Sequence, residues 1–327
     1  MKRFILSLVS LFIIMSMKSQ ELTTFSSPNG VISVTMQQNT TQTFMKVKKS
    51  SVSMATVYLG VATNVENFSN KLSFVSASEP TLVTEEYDNI HGKFSHVISL
   101  YNEVVAHFKN ANETTNFDIV VRAYDTGVTF KYVIPDEDGV TRKFTNEATT
   151  YQIAANAHRW LQQFSTSYEG DFGYESKEGT TGSWGFPALF EYMNTFMLLT
   201  EANVSKMYSS THLSNTSTAS KYKVDYPFAW EGNNSIDVNP QWTGAWTSPW
   251  RVMIIGKLQD IVESTLVEDV SEPCKVKQTS WIKPGSAAWV YWAYNHGTRD
   301  YQICRLCVSR CRPCVPSTSC SCGRATL

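Results

Sequence analysis

The fold class of this chain is decided by residues 117–134, which read FDIVVRAYDTGVTFKYVI. Apolar side chains occupy every second position on both sides of the segment Asp125-Thr126-Gly127. A period of two is typical of a strand with one buried face, whereas a helix repeats every 3.6 residues. The central segment is typical of a tight turn, and Pro135 cannot continue the ladder because it lacks an amide proton. The stretch therefore predicts an antiparallel β-hairpin.

Other extended, apolar-rich stretches recur along the chain. We predict further strands at residues 31–36, 43–47, 97–108, 151–154, 195–200, 221–226 and 251–255. The segment 257–268 instead spaces its apolar residues as a helix does, and we expect that helix to pack against a sheet. Many strands and few helices favour an all-β sandwich. The segments 160–195 and 226–250 lack a clear period and are predicted to be long ordered loops, where binding residues tend to lie.

Composition excludes some functions. The 327 residues suffice for one large domain or two ordinary ones, and the net charge of −1 gives no electrostatic basis for binding nucleic acid or an anionic membrane. Residues 1–20 pair a basic start with a short apolar run, which predicts an export signal and hence a periplasmic or secreted protein. No later segment is apolar for about 20 residues, so we expect no membrane span after signal removal.

A set of motifs in a fixed order resembles one enzyme family. The set comprises Trp160 and residues 166–171 (TSYEGD), 186–191 (FPALFE), 248–251 (SPWR), 273–275 (PCK) and 279–285 (TSWIKPG). In order and spacing it is similar to the N-terminal domain of glycoside hydrolase family 97, which comprises bacterial calcium-dependent α-glucosidases and α-galactosidases. The resemblance implies a large antiparallel β-sandwich of the galactose-mutarotase-like supersandwich type over residues 21–284, followed by a catalytic (β/α)8 barrel.

The barrel is expected to begin at residues 285–303, but too little chain follows to complete it, since eight βα units need roughly 200 residues or more. Residues 304–327 hold six cysteines, four arginines and no acidic or aromatic residue. Two interpretations of this Cys-rich tail stand. The pairs Cys304/Cys307 and Cys311/Cys314 have the inner spacing of a zinc site, though the three residues between the pairs are fewer than usual. A shifted reading frame near Cys304 explains the altered composition and the end of the chain together.

The resemblance also implies site residues. Glu169 follows Trp160 by nine residues, as does the family's glutamate that reaches from the sandwich to bind calcium. Calcium takes six to eight oxygen ligands, so Glu169 alone cannot form the site, and the family's other ligands and general acid lie on the barrel. We therefore expect weak or no Ca²⁺ binding by this chain alone.

Four further residues are candidates for contact with sugar. Glu103 and Glu201 match family positions and are interpreted as structural or interface acids that could also contact the substrate. Trp246 and Trp250 could face a sugar cleft or fill the core. No catalytic residue is assigned, because glycoside hydrolysis needs two suitably placed carboxyl groups and the family's lie on the barrel.

Three functional hypotheses follow from these patterns. The first is the amino-terminal part of a glycosidase for α-glucosides or α-galactosides that completes an active site, binds α-linked oligosaccharide and is inactive alone. The second is a stand-alone sandwich that binds carbohydrate or a protein partner. The third is a non-functional fragment with an exposed, aggregation-prone apolar surface.

Overall fold

The computed structural model describes residues 19–89, 92–165, 167, 169–175, 180–205, 208–215, 220–235, 237–273 and 275–283. The chain divides into two compact units, residues 1–272 and residues 273–327. In the second unit the described residues are 273 and 275–283, where Trp281 is exposed. Most of the predicted export signal, the expected start of the barrel and the Cys-rich tail lie outside the described residues.

Strands make up almost all regular structure in the described part of the chain. They are β1 Gln20–Ser26, β2 Ile32–Gln38, β3 Thr43–Lys49, β4 Val52–Tyr58, β5 Val61–Thr63, β6 Ser73–Ala77, β7 Thr81–Asp88, β8 His96–Lys109, β9 Asn116–Tyr124, β10 Gly127–Ile134, β11 Thr141–Glu147, β12 Thr150–Gln152, β13 His158–Gln162, β14 Phe172–Glu175, β15 Ser183–Trp184, β16 Ala188–Tyr192, β17 Thr195–Ala202, β18 His212–Ser214, β19 Lys221–Asp225, β20 Gln241–Thr243, β21 Trp246–Thr247 and β22 Trp250–Gly256. The helices are a 3-10 turn Ala229–Gly232, α1 Leu258–Glu263 and α2 Leu266–Asp269. The predicted all-β class is confirmed.

Two large antiparallel sheets dominate the described residues. The smaller sheet has the order β1-β2-β3-β4-β12-β19-β18-β15. The larger sheet has the order β14-β13-β16-β17-β22-β10-β9-β8-β6, with β7 paired to β8 and β21 paired to β10. A third, small sheet joins β20, β11 and β5. Residues of both large sheets share one core, which makes the arrangement a sandwich.

The predicted hairpin is the centre of the larger sheet. Strands β9 and β10 pair antiparallel, with Gly127 opposite Tyr124, around a turn at Asp125 and Thr126. The close approach of the neighbouring strand β22 requires glycine at position 127. A Cβ atom there would lie 2.3 Å from the carbonyl oxygen of Met253 on the adjacent strand, so a side chain would force β10 away from β22.

The main core lies between the two large sheets. It takes the alternate residues of the hairpin, Phe117, Ile119, Val121, Ala123, Val128, Phe130, Tyr132 and Ile134, all of which are fully buried. The facing residues of the smaller sheet include Val34, Val47 and Tyr222, and the Tyr222 ring lies 5.0 Å from that of Phe190 on β16. The period of two in the sequence is therefore the period at which side chains enter one core.

The prediction of one continuous helix over residues 257–268 was wrong in the length of the helix. The segment forms two short helices, α1 and α2, interrupted at Ser264 and Thr265. Ile261 and Leu266 are buried against the outer face of the larger sheet, whereas Leu258 and Val262 are exposed. The extended backbone of Ser264 ends α1, because it breaks the helical hydrogen-bond ladder.

The segments predicted to be long loops carry more regular structure than expected. Residues 160–195 contain β14 and β15 as well as β16, and residues 226–250 contain the 3-10 turn, β20 and β21. Two-residue strands such as Ser183–Trp184 are too short to show a period, so the sequence could not reveal them. In the part of the chain that the structure describes, no helix is long and apolar enough to cross a membrane.

Candidate functional site

Most of the candidate residues lie at one end of the larger sheet, where three of its strands terminate. Strands β10, β13 and β17 run in the same direction, because each is separated from the next by one antiparallel strand. Their last residues therefore lie at the same edge, and β22 begins there with Trp250. The loop after β13 carries Glu169. We call this end of the sheet the Glu169 edge.

Glu169 is exposed in the loop between β13 and β14. The base of this loop is held by Gln162, whose amide nitrogen donates to the Gly170 carbonyl oxygen at 2.8 Å. Among the described residues no group of three or more His, Cys, Asp or Glu side chains could hold a metal ion. The role of Glu169 as one ligand stays a prediction.

Glu103 and Trp250 come together on the outer face of the larger sheet through Arg122. The Nε of Arg122 donates to the Glu103 carboxylate at 2.8 Å. The same guanidinium lies 4.6 Å from the Trp250 ring centroid and 4.3 Å from that of Tyr101. Lys131 approaches Trp250 at 4.6 Å as well, and burial lowers the pKa of Lys131. Cations thus cover Trp250, in cation–π contacts that are stronger where water is excluded.

Glu201 lies on the opposite, inner face of the same sheet. It is the cross-strand partner of Arg251, whose Nη1 donates to the Glu201 carboxylate. Glu201 also accepts hydrogen bonds from the amide of Thr211 at 3.0 Å and its hydroxyl at 2.7 Å. Its carboxylate oxygens are therefore engaged within the protein and hold the loop that follows β17.

Trp246 is buried on that inner side in a cluster of aromatic rings. Its ring centroid lies 4.6 Å from that of Phe144 and 5.1 Å from that of Trp242. Trp242 and Trp246 also line a cleft of about 420 Å³ at the Glu169 edge, together with Val133, Ile134, Pro135, Ser205, Thr243, Ala245 and Thr247. The indole nitrogen of Trp246 is buried and has no hydrogen-bond partner within the described chain. Both predicted tryptophans are thus core residues, and Trp246 is the one beside a cleft.

A second aromatic cluster at this edge was not predicted from sequence. Phe164 leads out of β13 into the loop that carries Glu169. Its ring stacks on His212 at 4.6 Å and lies 5.8 Å from Phe228, and His212 lies 4.8 Å from Phe228. Phe228 in turn stacks on Trp230 at 5.6 Å. Burial lowers the pKa of His212, so its imidazole is neutral at physiological pH.

Several residues that organise the site carried a weak signal in the sequence. Arg122 shares its strand with Asn116 and Asp118 and carried less signal, whereas Arg251 stands in an otherwise apolar strand, which indicates a buried ion pair because an isolated buried charge is too costly. That signal does not name the partner. Phe164, His212 and Phe228 are far apart in the sequence and gave no pattern that joins them.

Known proteins resemble this chain in both sequence and fold. The family model described as Glycosyl-hydrolase 97 N-terminal matches residues 25–273. A protein of Streptomyces bingchenggensis described as a probable retaining alpha-galactosidase is 30% identical over 236 residues, which are 72% of this chain and 35% of that protein.

Solved structures share the same sandwich. One described as a beta-arabinopyranosidase has a TM-score of 0.70 and 25% identity, covering 77% of this chain and 43% of its own. A glycoside hydrolase family 97 enzyme of Pseudoalteromonas sp., in complex with acarbose, has a TM-score of 0.69 and 21% identity, covering 80% of this chain and 40% of its own. This chain spans about two fifths of those solved chains. On the match to residues 25–273, the chain belongs to glycoside hydrolase family 97 and contains the N-terminal domain of such a glycosidase.

Proposed function

We propose that this chain binds carbohydrate and completes the active site of a hydrolase that acts on α-glucosides or α-galactosides, without hydrolysing glycosides by itself. The observation that carries the proposal is the Glu169 edge of a family 97 N-terminal domain. The same end of the sheet carries an exposed carboxylate, a cleft beside two tryptophans and a partly exposed aromatic cluster. Concave, largely apolar surfaces with a few polar groups are the usual form of ligand sites.

The related proteins support the substrate class. The Streptomyces relative is described as a probable alpha-galactosidase, and family 97 enzymes of Pseudoalteromonas sp. have been solved with acarbose and with panose. Those properties belong to proteins of which this chain spans 35–43%. α-Linked oligosaccharides are therefore the proposed ligands of this chain.

The ion pairs of three acids in this domain support the proposed lack of hydrolysis. Glycoside hydrolysis needs one carboxyl to protonate the leaving oxygen and a second to attack or to activate water. Glu147 and Glu201 are buried against the guanidinium of Arg251, and Glu103 is paired with Arg122. A carboxylate whose oxygens are engaged in ion pairs within the protein is not free to contact a glycosidic oxygen. None of these three acids is thus suited to act as the general acid.

Calcium and localisation complete the proposal. Glu169 would supply one carboxylate to a calcium ion whose other ligands come from elsewhere in an intact enzyme, and the ion would polarise the sugar oxygens bound to it. We further propose that the protein works in the periplasm or outside the cell. Oligosaccharides are too large to cross a membrane unaided, so an exported protein would encounter them there.

Two measurements on the purified chain test the proposal. Isothermal titration with maltotriose and with melibiose should show saturable binding of at least one sugar. Incubation with 4-nitrophenyl α-glucoside and α-galactoside in the presence of calcium should release no nitrophenol above the buffer control. Hydrolysis at an enzymatic rate would overturn the proposed inactivity, and the lack of any saturable sugar binding would overturn the carbohydrate-binding role.

A further inference from the structure

We propose that Phe228 and Trp230 form a stacking platform for a pyranose ring, as one subsite of the carbohydrate site. This inference rests on the proposed function and deepens it, because it names the side chains that hold the sugar. The two residues flank Ala229 on the connection between β19 and β20, and both are unusually exposed for aromatic residues, at 37% for Phe228 and 49% for Trp230. Contiguous exposed apolar patches often mark interaction sites.

The two rings form an offset-stacked pair. Their planes are within 10° of parallel and their centroids lie 5.6 Å apart, which is too far for a face-to-face stack and corresponds to an offset arrangement. An offset pair leaves parts of both ring faces free. A pyranose has C–H groups on its ring faces and hydroxyl groups around its rim, so it can pack a face against such rings while its hydroxyls stay solvated.

The local backbone fixes the platform before a ligand arrives. The carboxylate of Glu231 accepts a hydrogen bond from the Phe228 amide at 2.6 Å and so closes the start of the 3-10 turn. The amide of Asn233 donates to the Trp230 carbonyl oxygen at 3.0 Å and closes its end. Surfaces that are ordered in advance lose less conformational entropy on binding, which favours affinity for a small ligand.

The platform is supported from within by the aromatic cluster at the Glu169 edge. Phe228 packs on His212, which is 1% exposed, and both rings contact Phe164. Phe164 belongs to the loop that carries Glu169, so the platform and the predicted calcium ligand share one structural support. Asn233 and Asn234 are exposed and follow Trp230 within four residues of the chain, and their side-chain amides can exchange hydrogen bonds with sugar hydroxyls. This combination of rings and neutral amides favours a sugar over a charged or purely apolar ligand.

Substitution of Trp230 tests the platform directly. The probe is maltotriose, and its affinity is measured by isothermal titration for the wild-type chain and for Trp230→Ala, Trp230→Phe and Trp281→Ala. We expect Trp230→Ala to weaken binding on the order of tenfold or more, as truncation of an aromatic anchor does. Trp230→Phe should retain most of the affinity. Trp281→Ala, which removes an even more exposed indole, should bind like the wild type.

The titration results distinguish failure of the platform from failure of the proposed sugar-binding function. Wild-type affinity in Trp230→Ala overturns the platform and leaves the proposed sugar-binding function standing. Failure of the wild-type chain to bind maltotriose overturns the platform, and failure to bind melibiose as well overturns the proposed function too. An equal loss in Trp281→Ala also overturns the platform, because the effect is then not local. A change of oligomeric state in Trp230→Ala with unaltered sugar binding assigns the two rings to a protein interface and overturns the platform as well.

Discussion

Arg251 and Glu147 form a bidentate ion pair in the centre of the sandwich. The Nε and Nη2 atoms of Arg251 donate to the two carboxylate oxygens of Glu147 at 2.9 and 2.6 Å. Both side chains are completely shielded from solvent, at 0% and 1% exposure. The pair joins β22 of the larger sheet to the end of β11 in the small sheet. It therefore ties together segments that are 104 residues apart in the chain.

The remaining donors of the same guanidinium are also satisfied. Nη1 donates to Glu201 and to the hydroxyl of Thr211, and Nη2 donates additionally to the Tyr208 hydroxyl oxygen at 3.1 Å. Arginine has five N–H groups, and five acceptor contacts surround it here. A buried charge with all its hydrogen bonds made is tolerated, whereas removal of one partner leaves its neighbours desolvated and unpaired.

Replacement of Arg251 should therefore destabilise the fold strongly. We expect Arg251→Met to reduce the free energy of unfolding by about 3–5 kcal/mol, because the carboxylates of Glu147 and Glu201 would be buried without a cation. Urea unfolding followed by tryptophan fluorescence measures the change. The matched control is Lys223→Met, which breaks the half-exposed pair with Asp225 and should cost about 1 kcal/mol or less. Equal effects of the two variants would contradict a structural role of the buried network.

Glu169→Ala should leave the fold unchanged. The side chain is exposed in a loop, and exposed substitutions outside special features usually shift stability by less than about 0.5 kcal/mol. Thermal unfolding of the variant and the wild type measures this. Gln162→Ala is the control from the same loop, since that side chain is buried and bonds to Gly170, and it should lower the melting temperature. A large loss of melting temperature in Glu169→Ala would show that the residue packs instead of serving as a ligand.

Calcium should stabilise this chain only slightly. Glu169 supplies one carboxylate, whereas calcium takes six to eight oxygen ligands, so we expect weak binding. If calcium is present at its dissociation constant, the gain in unfolding free energy is about 0.4 kcal/mol. Melting curves with calcium and with EDTA should thus nearly coincide. A rise of many degrees with calcium, abolished in Glu169→Ala, would reveal a complete site within this chain.

Acid should weaken the pairing of Asp138 with Arg142. The hydrogen bonds from Arg142 lower the pKa of Asp138 to about 2 from its usual 3.8. A carboxyl with a depressed pKa in the folded state contributes stability above its unfolded pKa and loses that contribution as the pH falls toward about 2. Asp138→Asn should therefore be less stable than the wild type at pH 6, by at most about 1 kcal/mol because the carboxylate is partly exposed.

The pH dependence of that difference is the measurement. Urea unfolding of both proteins between about pH 6 and pH 2.5 should show the gap narrowing as the carboxyl of the wild type gains its proton. A gap that stays constant with pH would mean that the substitution acts through packing or geometry instead of charge.

Much of the fold could be predicted from the sequence, and the reason is periodicity. In the hairpin of β9 and β10 each second side chain enters the core, so the strands, their turn and the buried residues were all readable. The sequence predicted that residues 257–268 are helical but did not predict the interruption at Ser264. Short helices depend on tertiary contacts, and these set where each helix ends. The two-residue strands β15 and β21 had no period to detect.

The site was less predictable, since its contacts join residues that are distant in the chain. From the sequence, Trp246 and Trp250 could face a sugar cleft or fill the core, and burial in the folded chain decides between those positions. Glu103 and Glu201 were both acids in strands, yet one lies on the outer face with Arg122 and the other on the inner face with Arg251.

The sequence by itself determined the all-β class, the family and the candidate Glu169, because strand periodicity and motif order are local properties of the chain. The tertiary structure alone decided which charges pair and which rings meet. Arg251 pairs with Glu147, which lies 104 residues earlier in the chain. The rings of Phe164, His212 and Phe228 come from three separate segments and contact one another. Such contacts arise from how the sheets pack, and a buried charge or ring has its partner set by that packing and not by its neighbours in sequence.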